Sequence, residues 1–163
     1  TTSVNPRFTV FDTISEGLRE LNLPKEELRK KIAELLNQVG LDEEHIDRYP
    51  HELSGGQLQR VCIARSIGRN PKFILLDEAI SSLDVSVQVQ ILDLLIELKE
   101  KYKLSYLFIT HDLTAITYIC DSVIFFKDGK IVEKVDDMRE LKNIQNEYSK
   151  SLLEAALHTD IIS

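Results

Sequence analysis

The stretch Leu53-Ser54-Gly55-Gly56-Gln57 places a serine and two glycines at the head of a long periodic run, and its reading decides the fold. Serine is a favoured helix N-cap, because its hydroxyl accepts an N–H that the first turn leaves without an intrahelical partner. Two glycines behind it let backbone amides approach an anion with no Cβ in the way, and the helix dipole favours negative charge there. The stretch predicts a phosphate contact, such as the terminal phosphate of a nucleotide. Taken alone, it also makes an ordinary capped helix whose glycines only turn the chain.

Downstream, the apolar run Phe73-Ile74-Leu75-Leu76 ends in Asp77-Glu78. Asp77 is thereby placed at the carboxyl end of a buried strand, where open α/β sheets bind their ligands. A carboxylate there can hold magnesium, usually through water, and Glu78 can orient or deprotonate an attacking water. On its own the pair also reads as strand-end acids bound to nearby amides. Ser81-Ser82-Leu83-Asp84 follows, with Asp84 as N-cap of a helix in which Val85, Val89, Leu92 and Ile96 are expected to face inward. A second apolar strand, Leu107 to Thr110, leads to His111. His111 comes beside Asp77 and Glu78 if the two strands are neighbours, and its imidazole can donate to a γ-phosphate. A lone strand-end histidine is more often structural, and His45, His51 and His158 read as surface or loop residues.

The remaining sequence gives these motifs a frame. Residues 9 to 40 carry helical spacing: Val10, Phe11, Ile14, Leu18 and Leu21, then Leu28, Ile32, Leu35, Leu36 and Val39. Pro24 starts the second helix and Gly40 stops it. A short helical turn follows Asp42, and Pro50 disfavours helix at Tyr49. From Ser54 the pattern alternates: helix to about Ile67, strand Phe73 to Leu76, helix from about Ser86 to Lys101, strand Tyr106 to Thr110. Long helices between continuous apolar strands predict a parallel sheet covered on both faces. Ser122 to Phe126 and Lys130 to Glu133 flank Asp128-Gly129, a hairpin signal, and a last helix is expected around Glu147 to Leu157.

The chain has 163 residues, 43% of them hydrophobic, so it is the size of one domain with a real core. Its net charge of −7 argues against a nucleic-acid surface. The two cysteines, Cys62 and Cys120, have no C-x-x-C partner and read as buried thiols of a reducing cytosol. Neither they nor the histidines have metal-site spacing. The longest apolar runs are too short to cross a bilayer, and no leader precedes them. Thr1 is not an initiator Met, so the chain is expected to begin inside a longer protein or at a trimmed end.

Together these elements resemble the second half of an ABC-transporter ATPase domain. The resemblance implies an α/β fold: a partial P-loop NTPase parallel sheet with helices on both faces, plus a helical subdomain. It assigns residues 1–52 to the helical subdomain, 53–135 to the RecA-like core and 136–163 to a helical tail. It makes Ser54, Gly55, Gly56 and Gln57 the signature, Asp77 the Walker B ligand of magnesium through water, and Glu78 the catalytic glutamate. Asp84 becomes the D-loop acid and His111 the switch histidine.

The flanks Thr2-Ser3-Val4-Asn5-Pro6-Arg7, Arg48-Tyr49-Pro50-His51-Glu52 and Asp84-Val85-Ser86-Val87-Gln88 resemble the dipeptide, oligopeptide and nickel importers. Leu58-Gln59-Arg60-Val61-Cys62 and Asp77-Glu78-Ala79 resemble the nickel-importer ATPases. Ala79-Ile80 and Ser82 stand where Pro-Thr and Ala are more usual. The implied ligands are ATP and Mg2+. The implied partners are a second ATPase subunit in a homo- or heterodimer, transmembrane permease subunits and, indirectly, a solute-binding protein, at the cytoplasmic face of the membrane. No G-x-x-x-x-G-K-[ST] occurs, so these residues alone are expected to be inactive. Two rival readings remain: a soluble ABC ATPase of DNA repair or translation, and a non-catalytic fragment. A Walker A motif encoded upstream of Thr1 separates the second from an enzyme.

Overall fold

Thr9 begins the fold in a computed structural model that describes residues 4–159. Its hydroxyl accepts the Asp12 N–H at 3.2 Å while Asp12 accepts the Thr9 N–H at 3.0 Å. This reciprocal cap starts α1 (Val10–Leu18), which buries Val10, Thr13, Ile14 and Leu18. A 3-10 turn over Arg19–Leu21 and a left-handed Asn22 (φ 47°) end it. Pro24 then precedes α2 (Lys25–Gln38), whose inward face is Ile32, Leu35 and Leu36. Both helices pack on α3 (Gly55–Ile67). Gly40 is required twice over at the end of α2: its φ is +73°, and a Cβ there would lie 2.9 Å from Arg60 Nη1. That guanidinium donates to the Val39 carbonyl at 2.7 Å and so ties α3 to the end of α2.

After α3 the chain runs through β1 (Phe73–Asp77), α4 (Val85–Tyr102) and β2 (Ser105–Ile109). The two strands pair in parallel with Phe73 opposite Ser105 and Asp77 opposite Ile109, as the long intervening helix requires. Ile74 and Leu76 face a small cavity shared with Cys62, Ile63 and Leu95, so α3 and α4 lie over this side. The Tyr106 hydroxyl donates to the Leu95 carbonyl at 2.8 Å, and burial pushes that phenol up to about 12. Within these residues the other side of the sheet is bare. Phe73, Leu75, Leu107 and Ile109 are 57, 54, 48 and 46% exposed, so the expected covering of both faces is met on one.

The inward stripe of α4 also differs from the expected one. Val85 is 76% exposed and Val89 40%, whereas Ile91, Leu92, Leu94, Leu95 and Leu98 are buried. In the first turn of α4 the residue that meets another element is the half-buried Val87, which stands four before Ile91 and lies against Gly56 of α3.

The described residues fall into two compact units that divide between Ile109 and Thr110. The second contains α5 (Leu113–Ile119), the antiparallel pair β3 (Val123–Lys127) and β4 (Lys130–Val135), and α6 (Glu147–Thr159). Asp128 and Gly129 both have positive φ, 51° and 77°, the conformation that a two-residue type I′ hairpin turn demands. Leu113, Ile116, Val123, Phe125, Val135, Leu141 and Ile144 form its core, with Leu152 and Leu153 of α6 against them. Glu133 of β4 accepts the N–H groups of Gln145 and Asn146, at 2.7 and 3.3 Å, just before α6. Cys62 is buried as expected, and burial pushes its thiol pKa up; Cys120 is only half-buried. The expectations for Thr1 to Ser3 and for the His158 side chain fall outside the described residues.

Leu36 is completely buried, whereas Leu21 is 48% exposed. Leu36→Ala is expected to lower stability by about 2–5 kcal/mol, and Leu21→Ala by less than about 0.5 kcal/mol. Urea unfolding of the two variants against the parent chain checks this.

Candidate functional site

Ser54 sits just before α3 with an extended backbone (φ −67°, ψ 161°), and its hydroxyl accepts the Gln57 N–H at 3.1 Å. Gln57 returns the contact, its Oε1 accepting the Ser54 N–H at 3.0 Å. This capping box uses the Gln57 donor and leaves those of Gly55 and Gly56 directed out of the helix end. The turn is fixed against the start of α4. A Cβ on Gly56 would lie 2.6 Å from Val87 Cγ1, and one on Gly55 3.1 Å from Leu83 Cδ2. The two glycines therefore serve packing, bringing Ser54 to Gln57 alongside the Leu83 to Val87 segment.

Asp84 is the N-cap of α4, as expected. It accepts the Val87 N–H at 3.1 Å and the Ser86 hydroxyl at 2.7 Å. The Ser86 hydroxyl first, and then the Val87 N–H, hold the Asp84 carboxyl below the usual range. A depressed carboxylate stabilises the fold above its unfolded pKa, and the contribution fades as pH falls through the folded value.

Asp77 ends β1 and is exposed; Glu78 follows it, half-buried. Glu78 has a φ of +49°, a left-handed conformation with a steric cost for a residue bearing a Cβ. Two contacts hold it: its N–H donates to the Ile109 carbonyl at 2.9 Å, and its carbonyl accepts the Ser81 hydroxyl at 3.2 Å. Asn22, Asn70, Lys103 and Asp128 share the left-handed backbone, yet they lie where the chain turns after a helix or between strands. Glu78 stands at the carboxyl end of a parallel strand, where open α/β sheets bind ligands, and its strained backbone makes it a candidate functional residue.

The strand leading to His111 is the direct neighbour of β1, as the sequence reading required. His111 itself is exposed and belongs to the second unit, one residue before Asp112. Asp112 caps α5 by accepting the N–H groups of Thr114 and Ala115, at 2.9 and 3.3 Å. The structure thus brings the Ser54 to Gln57 turn to Leu83 and Val87, and sets Asp77 and Glu78 against the end of β2.

One residue at this site was read otherwise from sequence. His45, expected at the surface or in a loop, lies in a short turn but is only 6% exposed, and its Nε2 lies 3.4 Å from Gln57 Nε2. Its place in a short 3-10 turn, Glu43–His45, gives no periodic signal; the helix-cap spacing from Asp42 is the one clue in the sequence. His51 is exposed and stacks on Tyr49, with ring centroids 5.7 Å apart.

Residues 1–81 match the ABC transporter family. The chain is 49% identical over 158 residues to the metal-staphylopine import system ATP-binding protein CntF of Staphylococcus aureus, covering 96% of this chain and 63% of that protein. The chain belongs to the ABC transporter family. A second relative is the oligopeptide transport ATP-binding protein OppF of Bacillus subtilis. It is 48% identical over 94% of this chain and 51% of its own length. Among solved structures, the ATP-binding cassette MJ0796, dimeric and bound to ADP and Pi in a post-hydrolysis state, superposes with a TM-score of 0.70. It is 30% identical, with 82% of this chain and 58% of that one covered. The chain thus spans less than two thirds of the length of these ABC relatives.

Helix propensity alone says that Gly56→Ala stabilises by about 0.5–1 kcal/mol. The 2.6 Å approach of Val87 reverses the sign, so a loss of about 1–3 kcal/mol is expected. In a Val87→Ala background the same substitution is expected to be neutral or stabilising. A double-mutant cycle in urea checks the coupling.

Proposed function

We propose that this chain is the catalytic and signature-bearing part of an ATP-binding subunit of an ABC importer, which hydrolyses ATP to drive uptake of a peptide or metal-chelate solute. The observation that carries the reading is the joint placement of the capped Ser54 to Gln57 turn on the Leu83 to Val87 segment, in the same unit as the strained strand-end glutamate. The names of the relatives, one for metal-staphylopine import and one for oligopeptide transport, supply the solute classes.

The residues fit the nucleotide by their chemistry. Gly55 and Gly56 offer backbone donors at a positive helix end, suited to a γ-phosphate. In a head-to-tail dimer that phosphate belongs to the partner subunit, so Ser54, Gly55, Gly56 and Gln57 act in trans. The dimeric state of the MJ0796 cassette supports such a pairing. On its own subunit Asp77, exposed at the strand end, would hold Mg2+ through water; the ion neutralises developing phosphate charge. Glu78 polarises the attacking water, His111 steadies the γ-phosphate, and Asp84 holds the D-loop to α4. Positioning and electrostatics supply the rate.

Residues 1–52 dock on the transmembrane subunits as a helical subdomain, 53–135 form the core, and 136–163 form the tail. In this reading attachment to the membrane is peripheral, through the permease, on the cytoplasmic side; among the described residues no helix is long and apolar enough to cross a membrane. The bare apolar face of Phe73, Leu75, Leu107 and Ile109 agrees with a sheet that further residues complete.

Because no Walker A sequence occurs in the 163 residues, the isolated chain is expected to show no Mg-dependent ATP turnover. In the gene product that joins it to a Walker A loop, Glu78→Gln is expected to slow hydrolysis by at least about 100-fold while ATP binding persists. Unchanged hydrolysis would remove Glu78 from its role. Gly56 is a poorer probe, since any side chain there meets Val87 first. In cells lacking the gene, uptake of nickel chelate is expected to fall more than uptake of a dipeptide; lost dipeptide uptake with normal nickel would reverse that order.

A further inference from the structure

The segment from Glu78 to Asp84 leaves β1 through the left-handed Glu78 (φ +49°) and leads into α4. A strained residue of this kind persists only where its surroundings over-determine it. Ile80 anchors the middle of the segment with a fully buried side chain. Its carbonyl accepts two hydrogen bonds, from the Leu83 N–H at 3.1 Å and from Gln88 Nε2 at 3.0 Å. The second comes from outside the segment, from the half-buried Gln88 of α4. A carbonyl can only accept, so the amino end of the Gln88 amide is the one that faces it. Gln88 is itself seated, because its backbone N–H donates to the Asp84 carbonyl at 2.9 Å in the capped start of α4.

We propose that Gln88 is a positioning residue for Glu78: by holding the Ile80 carbonyl it fixes the segment whose backbone sets the direction of the glutamate. This assignment rests on the reading of Glu78 as the residue that polarises the attacking water. On its strand side Glu78 is held by the bond from its N–H to the Ile109 carbonyl, at 2.9 Å. On its loop side its carbonyl accepts the Ser81 hydroxyl at 3.2 Å, and Ser81 is the residue next to Ile80. A released Ile80 carbonyl lets Ser81 shift, and the loop-side hold on Glu78 loosens with it. A misdirected carboxylate slows the chemical step, while nucleotide affinity, which is set elsewhere, stays. Gln88 also follows Val87, against which Gly56 packs. Adjacent residues of one helix start thus touch the Ser54 to Gln57 turn and the glutamate's segment, so that α4 carries both.

Two substitutions of similar reach separate the donor of this side chain from its bulk. Gln88→Met removes the donor, and Gln88→Lys keeps one. Gln88→Asn keeps the amide but is a methylene too short to reach Ile80, and it takes the place of Gln88→Met should that variant not fold. All are made in the gene product that joins this chain to a Walker A loop. Gln88→Met and Gln88→Asn are expected to lower kcat for ATP roughly tenfold or more, with KM changed by less than about twofold, and Gln88→Lys to stay within about threefold of the parent. In a Glu78→Gln background Gln88→Met is expected to change the residual rate by less than about twofold. Hydrogen exchange at the Glu78 and Leu83 amides is expected to accelerate at least about threefold in Gln88→Met and not in Gln88→Lys, with the Leu36 amide as the control for the fold. A full effect of Gln88→Met in the Glu78→Gln background overturns the proposal. So does a Gln88→Lys variant as impaired as Gln88→Met, or Leu83 exchange that accelerates while Glu78 exchange does not. Intact hydrolysis in Glu78→Gln with faster Glu78 exchange in Gln88→Met would instead remove the catalytic reading of Glu78 and keep its positioning by Gln88.

Discussion

The 2.6 Å that a Cβ on Gly56 would leave to Val87 is the constraint on which the site depends. It brings the first turn of α3 against the first turn of α4 so closely that only hydrogen fits between them. A helix N-terminus is an anion site only if its donors are held still. Here the capping box of Ser54 and Gln57 holds them from one side, and Leu83 and Val87 hold them from the other. The second contact also joins the signature turn to the segment that Asp84 caps, so that displacement of one helix end moves the other.

The strand-end acids Asp77 and Glu78 rest on a different constraint, the parallel register of β1 and β2. That register sets Asp77 opposite Ile109 and lets the Ile109 carbonyl accept the Glu78 N–H. The bond holds Glu78 in a left-handed conformation that a glutamate would not adopt unaided. The strand pair itself is maintained by α3 and α4 on one face only. The other face carries four large exposed apolar side chains, whereas a parallel sheet is ordinarily covered on both faces.

Much of this was legible in the sequence because the signals were local. Ser54 and Asp84 are N-caps with their own hydrogen-bonding side chains, Gly40 and Asp128-Gly129 occupy positive φ where a turn requires it, and two apolar strands a long helix apart pair in parallel. What the sequence left open depended on tertiary contacts. Val85 and Val89 have the spacing of an inward face, but it is Val87, between them, that meets α3 at Gly56, and the two valines stay exposed. His45 has no apolar periodicity around it, and its burial follows from the packing of α2 and α3 around a three-residue turn. The seven-residue α5 is rich in Thr and Ile, poor helix formers, and depends on the Asp112 cap and on Leu113, Ala115 and Ile116 being buried. Packing, likewise, assigned Gly56 a second duty that its role toward an anion did not suggest.

Under the proposed reading this geometry is one half of a composite site, with donors on the Ser54 to Gln57 turn and acids on the strand end that would work on different nucleotides when two subunits meet. The most direct measurement is 15N amide NMR of the Walker A-containing gene product carrying Glu78→Gln, titrated with Mg-ATP while its mass in solution is followed. The Gly55 and Gly56 amides are expected to shift only once the dimer forms. Amides that stay unmoved in an ATP-bound dimer, or that shift fully in the monomer, would contradict a phosphate contact made in trans.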